Sequence, residues 1–245
     1  MDNNSLANEY SKILKNLDIM YLDRKHPEGK SPANLSGLFL TSVFDEYPLA
    51  KNKIMIIGSE TREWNILKKN EEFTNLNDYI ERSMNKHQKF FKNKLEEEKD
   101  SKGYAFHNFT RDVSDKCGKD GLVYSNLFCF AWKEGSPIHC KYFETIKKYS
   151  ALLLKAQIEI LKPQIIIFAN GMTSVPYRRD LFPIHGENQV CTNGRDYSNE
   201  GISNHQLWEF DLYKDIRCYR IHHPSARAKE AAKARKYLIN LLPSV

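Results

Sequence analysis

The stretch QIIIFANG, residues 164–171, decides the fold of this chain. It is a β-branched apolar run closed by a glycine, which is typical of a buried β-strand. Before it, apolar residues recur at helical spacing from Tyr142 to Ile160, and Lys162-Pro163 ends that helix. A helix that leads directly into a buried strand predicts a parallel crossover, and therefore an α/β fold.

Three other buried strands and three other helices are predicted around this helix and strand. The apolar runs that predict strands are residues 53–58, 121–130 and 217–222. Helical periodicity covers residues 5–17, 74–99 and 226–242, and Ser225 is the expected N-cap of the last helix. The alternation predicts a three-layer α/β/α fold with a central, mostly parallel four-stranded sheet.

The length of 245 residues and the apolar content of 41% suit a single domain, residues 1–245. Within it we expect an N-terminal helix and loop at residues 1–50 and a charged helical insertion at residues 66–102. The polar stretch at residues 182–201 is expected to be a loop. The net charge of +6 favours approach to a polyanion, although a lysine-rich solvated surface would give the same value.

Five cysteines are scattered along the chain, and no two form a C-x-x-C pair. This pattern disfavours a disulfide framework and a zinc site, so we expect neither a metal nor another cofactor. No apolar run approaches the roughly 20 residues that span a bilayer, and the start lacks the order of a signal peptide. We therefore expect a cytoplasmic protein, associated with the nucleoid if it is bacterial, that does not enter a membrane.

Polar residues lie in or just after each of the four predicted strands. They are Glu60 after the first, Asn126 in the second, Thr173 and Ser174 after the third, and His223 after the fourth. Taken singly, each has a structural reading, such as a loop cap, a turn amide, a helix start or a junction residue. Because ligands bind at the carboxyl ends of strands in open parallel sheets, their joint occurrence predicts a functional site.

Three motifs in this order resemble the uracil-DNA glycosylase superfamily: Gly58-Ser59-Glu60, Tyr124-Ser125-Asn126 and His223-Pro224-Ser225. Residues 152–171 also look like the helix and strand that precede the phosphate loop of that family. The resemblance covers roughly residues 53–242. It implies a DNA glycosylase that flips out a pyrimidine and hydrolyses its N-glycosidic bond. No lysine stands in the matched motifs to form a Schiff base, so the enzyme is expected to be monofunctional.

The resemblance also implies roles for individual residues. Glu60 matches the carboxylate that orients water and stabilises the sugar cation, and His223 matches the donor to the departing base, with His222 as its rival. Asn126 matches the amide that reads the base edge. Phe106, in the Gly-Tyr-Ala-Phe step that ends at this residue, matches the ring that stacks on the flipped base.

Contacts to DNA phosphates are expected from Thr173, Ser174, Ser225 and Arg227. Further positive charges that we expect near the DNA are Lys229, Lys233 and Arg235 on the last helix, and Arg178 and Arg179 after the third strand. Lysine and arginine at such spacing also describe any exposed helix.

Two departures from the family pattern bear on the substrate. No cysteine precedes Cys117, so the iron-sulfur cluster of the branch with the closest motif order is not expected. Thr61-Arg62 replaces the Pro-Tyr whose ring blocks a 5-methyl group in strict uracil enzymes. Ser59 and Arg62 are therefore expected to contact the base, with room for a substituent at C5.

Three functions remain open from the sequence. The first is a glycosylase for uracil or deaminated bases in DNA repair, and the second is a glycosylase for 5-modified pyrimidines, including hypermodified bases of foreign DNA, in antiviral defence. The third is a catalytically silent DNA-binding relative in which only the phosphate contacts remain. All three imply a DNA partner, and the expected state is a monomer.

Overall fold

The computed structural model describes residues 2–22, 34–67, 71–98, 105–133 and 135–245. The chain divides into two compact units, each assembled from three segments. Unit 1 consists of Met1–Val43, Ser59–Phe90 and Ser125–Lys162, and unit 2 of Phe44–Gly58, Phe91–Tyr124 and Pro163–Val245. The single domain and the insertion at 66–102 stay predictions, and part of that insertion lies outside the described residues.

Six strands form one mixed sheet. They are β1 (Ile54–Gly58), β2 (Leu122–Asn126), β3 (Ile165–Phe168), β4 (Cys191–Arg195), β5 (Leu207–Leu212) and β6 (Ile216–Ile221). The strand order is β2-β1-β3-β6-β5-β4. β3 is parallel to both β1 and β6, whereas β5 is antiparallel to β6 and β4. The α/β class is confirmed, but the predicted four-stranded, mostly parallel sheet is wrong; the three-layer arrangement stays a prediction.

The predicted strands do not include β4 and β5, of which only β4 lacks a strand pattern in the sequence. β4 lies within the stretch predicted as a loop, and four of its five residues are at least partly exposed, so it has no apolar run. β5 buries Leu207 and Glu209 as well as Phe210 and Leu212, so residues of both parities are buried. Residues 208–212 nevertheless alternate apolar and polar side chains, so β5 carries a strand pattern that the prediction above omits.

Six α-helices accompany the sheet in the described residues. They are α1 (Asp2–Leu14), α2 (Leu76–Glu96), α3 (Ala105–Cys117), α4 (Phe143–Leu161), α5 (Val175–Leu181) and α6 (Lys229–Leu241). α4 ends as predicted, because Lys162 adopts a left-handed conformation with φ of 47° and Pro163 follows. α2 is the charged helix predicted at 74–99, and Ile80, Met84 and His87 on this helix are buried.

In unit 1, α2 borders an extended segment at residues 35–43. The acceptors Tyr79 Oη, Ser83 Oγ and His87 Nδ1 receive the N–H groups of Leu38, Leu40 and Ser42 at 3.1, 3.2 and 3.0 Å. Residues four apart share one face of a helix, and alternate residues share one edge of an extended chain. Side chains of α2 therefore accept the backbone N–H groups of this segment, as the carbonyls of a neighbouring strand would.

The last helix begins later than predicted. α6 starts at Lys229 with Ala228 as its N-cap, and no side chain caps it. Ser225 is not the N-cap, because its hydroxyl lies 2.7 Å from His223 Nδ1 and a turn closed by Ala226 N and His223 O precedes the helix. The prediction that Ser225 caps this helix is therefore wrong.

Candidate active-site residues

Glu60 lies in unit 1, directly after β1 in the chain. Its side chain is partly buried, and the Oε2 atom is buried without a hydrogen-bond partner. The preceding Ser59, also partly buried, accepts a hydrogen bond at its carbonyl from the backbone N–H of Phe128 at 2.9 Å. A carboxylate oxygen that the protein leaves unbonded is suited to bind water or a developing positive charge.

Asn126 is buried in unit 1 at the end of β2. Its Nδ2 donates to Thr61 Oγ1 at 2.6 Å, which joins the carboxamide to the residue that follows Glu60. The neighbouring Ser125 donates to Gln157 Oε1 at 2.6 Å. The bond to Thr61 restrains the Asn126 amide. The contact with Thr61 was not foreseen, because the two residues lie far apart in sequence.

The loop after Glu60 is held by α2. Trp64 is buried, and its indole N–H donates to the carbonyl of Leu38 at 3.2 Å. Lys86 Nζ lies 5.0 Å from the centre of a Trp64 ring and donates to the carbonyl of Asn65. Arg62 is exposed. Trp64 is therefore part of the packing of unit 1. The side chain of Arg62 is accessible for contact with a base.

His223 lies in unit 2 and stacks on Phe106, with ring centres 5.8 Å apart and planes inclined by 27°. The backbone N–H of Ser225 donates to His223 Nδ1 at 3.2 Å. Because a backbone N–H can only donate, Nδ1 is an acceptor, and the proton of the neutral ring is on Nε2. His223 therefore presents an Nε2–H donor, and its partner Phe106 also packs 5.3 Å from the Tyr124 ring.

Gly171 permits this arrangement at the end of β3. It has φ of 76°, and a Cβ added to it would lie 3.5 Å from His223 Cβ. A side chain here would be strained by the positive φ, although a Cβ would meet the histidine at an ordinary contact distance. The backbone conformation therefore favours glycine at this position beside His223.

Two other histidines stand near this part of unit 2. Burial, and then the charges of Arg220, His205 and Arg235, lower the pKa of His222 below its usual value. Burial lowers the pKa of His107 to about 4, and its ring lies 5.6 Å from that of Phe106. His107 was not among the predicted site residues. It is neutral at pH 7.

The residues predicted to bind phosphate differ in exposure. Thr173, Ser225 and Arg227 are exposed, as a phosphate contact requires. Ser174 is buried, and its hydroxyl donates to the carbonyl of Asn170 at 2.9 Å. Since that proton is committed within the protein, Ser174 is poorly placed to bind DNA.

The additional basic residues also differ in exposure and in hydrogen bonding. Of the two arginines expected near the DNA, Arg178 is only 1% exposed, whereas Arg179 is exposed. Lys233 donates to the carbonyls of Glu200 and Gly201, and Arg235 donates to the carbonyl of Ala226; Lys229 is exposed.

Within the described ranges, no group of three or more His, Cys, Asp or Glu side chains could hold a metal ion. The five cysteines are free and buried. The helices that the structure describes are too short or too polar to cross a membrane.

Comparison with known proteins adds no assignment. No family model matches this chain, and no curated protein matches it either.

Proposed function

We propose that this chain is a monofunctional DNA glycosylase that hydrolyses the N-glycosidic bond of a flipped-out pyrimidine. The observation that carries the proposal is the state of His223, whose Nδ1 accepts a backbone N–H so that Nε2 presents the proton. A departing pyrimidine gathers negative charge on O2, and a positioned hydrogen-bond donor stabilises that charge. Stacking on Phe106 restrains the imidazole ring.

The reaction needs few groups. Water adds to C1′ of the sugar while the C1′–N1 bond breaks, and the bonding electrons leave with the base. His223 donates a hydrogen bond to O2 of the departing base, and Glu60 stabilises the positive sugar and accepts the proton of water. The unbonded Oε2 of Glu60 supports this role. Asn126 reads the pairing edge of the base.

The substrate class follows from the residues after Glu60. In place of a ring that would exclude a C5 substituent, the chain has Thr61, bonded to Asn126, and the exposed Arg62. We therefore favour a pyrimidine modified at C5, including hypermodified cytosines of foreign DNA, with uracil as the second candidate. The enzyme would act on DNA as a cytoplasmic monomer, in defence or in repair.

The test is incubation with DNA that contains uracil, 5-hydroxymethylcytosine or glucosylated 5-hydroxymethylcytosine, followed by scoring of alkali-labile abasic sites. We expect product from one of these bases. Glu60→Gln and His223→Ala should each slow its formation at least about a hundredfold, because each removes a group that acts in the transition state. Asn126→Ala should chiefly change the ratio of rates between bases.

The controls are Glu96→Gln and His139→Ala, which make the same kinds of change at exposed positions. Both should cleave at the rate of the unaltered protein. If no base is released from any of these DNAs, the proposed glycosylase activity is wrong. Binding to unmodified DNA would then favour the catalytically silent relative.

A further inference from the structure

Unpartnered polar atoms are concentrated in one part of unit 2. Among the described residues, most buried side-chain nitrogen and oxygen atoms without a hydrogen-bond partner belong to Asn170, Arg178, Gln206 and Arg220. Buried polar groups are normally paired, so such a concentration requires an explanation. We call these four residues the arginine cluster.

Arg178, on α5, is the most buried member. Its guanidinium carbon lies 5.5, 5.4 and 5.0 Å from the ring centres of Phe168, Trp208 and Phe210. None of its three nitrogens has a hydrogen-bond partner. Burial lowers the pKa of Arg178 to about 10, so the side chain remains charged at pH 7. The rings attract the cation but leave its N–H donors unsatisfied.

Arg220, on β6, is the second charged member. Phe168 and Trp208, its partners in the neighbouring strands, are also the rings beside Arg178. Cross-strand partners project from the same face of a sheet, so both arginines lie on that face. Arg220 donates to the carbonyls of Asn204 and His205, while its Nε has no partner.

Among the described residues, no carboxylate contributes to the pKa shifts of these two arginines. The charged groups that shift the pKa of Arg220 are arginine, and those that shift the pKa of Arg178 are arginine and cysteine. Arg217 on the same strand is different, because it lies 3.8 Å from Glu209, and Tyr219 and then Glu209 raise its pKa. Burial of like charges without a counterion is strongly unfavourable.

We propose that the arginine cluster binds a phosphate-type oxyanion. A guanidinium offers a planar fork of donors that matches phosphate oxygens, and the Asn170 amide adds another donor. Arg220 Nη1 lies 3.2 Å from Met172 Sδ, so the cluster adjoins the short 3-10 turn Met172–Ser174. Thr173 and Arg179 are exposed residues of the same segment, whereas Arg178 is buried.

The proposal does not depend on base excision. A phosphate of this kind has two sources, the DNA backbone and the free phosphate ion. The first test measures thermal unfolding in potassium phosphate and in potassium chloride of equal ionic strength. Phosphate should raise the melting temperature in a saturable way, because it binds only the folded protein.

The variants identify the site. Arg220→Gln should weaken the apparent phosphate affinity at least about tenfold, since it removes charge-assisted hydrogen bonds. Arg178→Met, which replaces a buried charge by an apolar chain of similar length, should do the same without opening a cavity. Arg217→Gln removes one charge from the same strand, at a position already paired with Glu209, and should keep the phosphate response.

A second measurement separates the two sources. The affinity for a short oligothymidylate is determined against salt for the protein, Arg220→Gln and Arg217→Gln. If the anion is a DNA phosphate, Arg220→Gln alone should reduce the slope of log affinity against log salt by about one. If Arg220→Gln keeps the slope of the unaltered protein but loses the response to phosphate, the ligand is the free phosphate ion. If phosphate stabilises none of the proteins, or all equally, and the slopes are equal, the proposal is wrong.

Discussion

Two regions of the molecule bury polar side chains in opposite ways. Between α2 and residues 35–43 of unit 1, the buried Tyr79, Ser83 and His87 each bond a backbone N–H. In the arginine cluster of unit 2, two buried cations have donors without partners. The first arrangement stabilises the fold by satisfying backbone groups, whereas the second leaves buried donors unpaired, which is expected to cost stability.

The largest expected effect comes from His87, which belongs to the satisfied region. His87→Ala leaves the N–H of Ser42 without its acceptor and removes a ring that packs 5.1 Å from Phe39. We expect a loss of about 4 kcal/mol in the free energy of unfolding, from the unpaired N–H and the cavity together. Urea denaturation at pH 7 measures it.

Lys89→Ala is the matched control, because Lys89 is an exposed residue of the same helix. It should change the free energy of unfolding by less than about 0.5 kcal/mol. A similarly small change for His87→Ala would show that α2 does not hold the extended segment through these bonds.

The second effect depends on pH and comes from His107 in unit 2. Burial, followed by the charges of Lys94 and Arg111, lowers the pKa of His107 to about 4, while Glu97 opposes the shift. The unfolded chain therefore binds a proton near pH 6.5, before the folded protein does. The neutral His107 therefore leaves the free energy of unfolding unreduced above pH 6.5. As the pH drops towards 4, His107 lowers the free energy of unfolding by up to about 3 kcal/mol.

His107→Phe isolates this contribution from the carboxylates that titrate over the same range. Denaturation of the protein and of this variant at pH 7, 5.5 and 4 should give stability differences that shift in favour of the variant as the pH falls. Parallel curves would mean that His107 takes up its proton equally well in the folded protein.

The sequence predicts those features that depend on local pattern. β1, β2, β3, β6 and α4 lie where apolar runs and helical spacing place them. Glu60, Asn126 and His223 follow strand ends, so position and motif suffice to select them. The Asn126–Thr61 bond and the stacking of His223 on Phe106 are not predictable in this way, because tertiary packing brings distant residues together.

Arg178 shows why charge misleads when the sequence is read alone. It stands in Arg178-Arg179-Asp180, which reads as an exposed polar stretch. α5 has only seven residues, too few to show which face is apolar. The residues that enclose Arg178 come from β3 and β5, and β5 was not predicted at all. A buried charge is therefore visible only in the structure.

The smallest expected effect is a gain of stability, unlike the two losses above, and it tests directly whether the arginine cluster costs stability. Arg178→Met removes an unpaired buried charge and keeps much of the side-chain volume, so the free energy of unfolding in chloride should rise by about 2 kcal/mol. Arg179→Met, at the exposed neighbouring position, should leave it within about 0.5 kcal/mol. Calorimetry without phosphate measures both. A loss of stability in Arg178→Met would mean that the three rings more than offset the burial of the cation, and the arginine cluster would then stabilise the fold as the α2 bonds do.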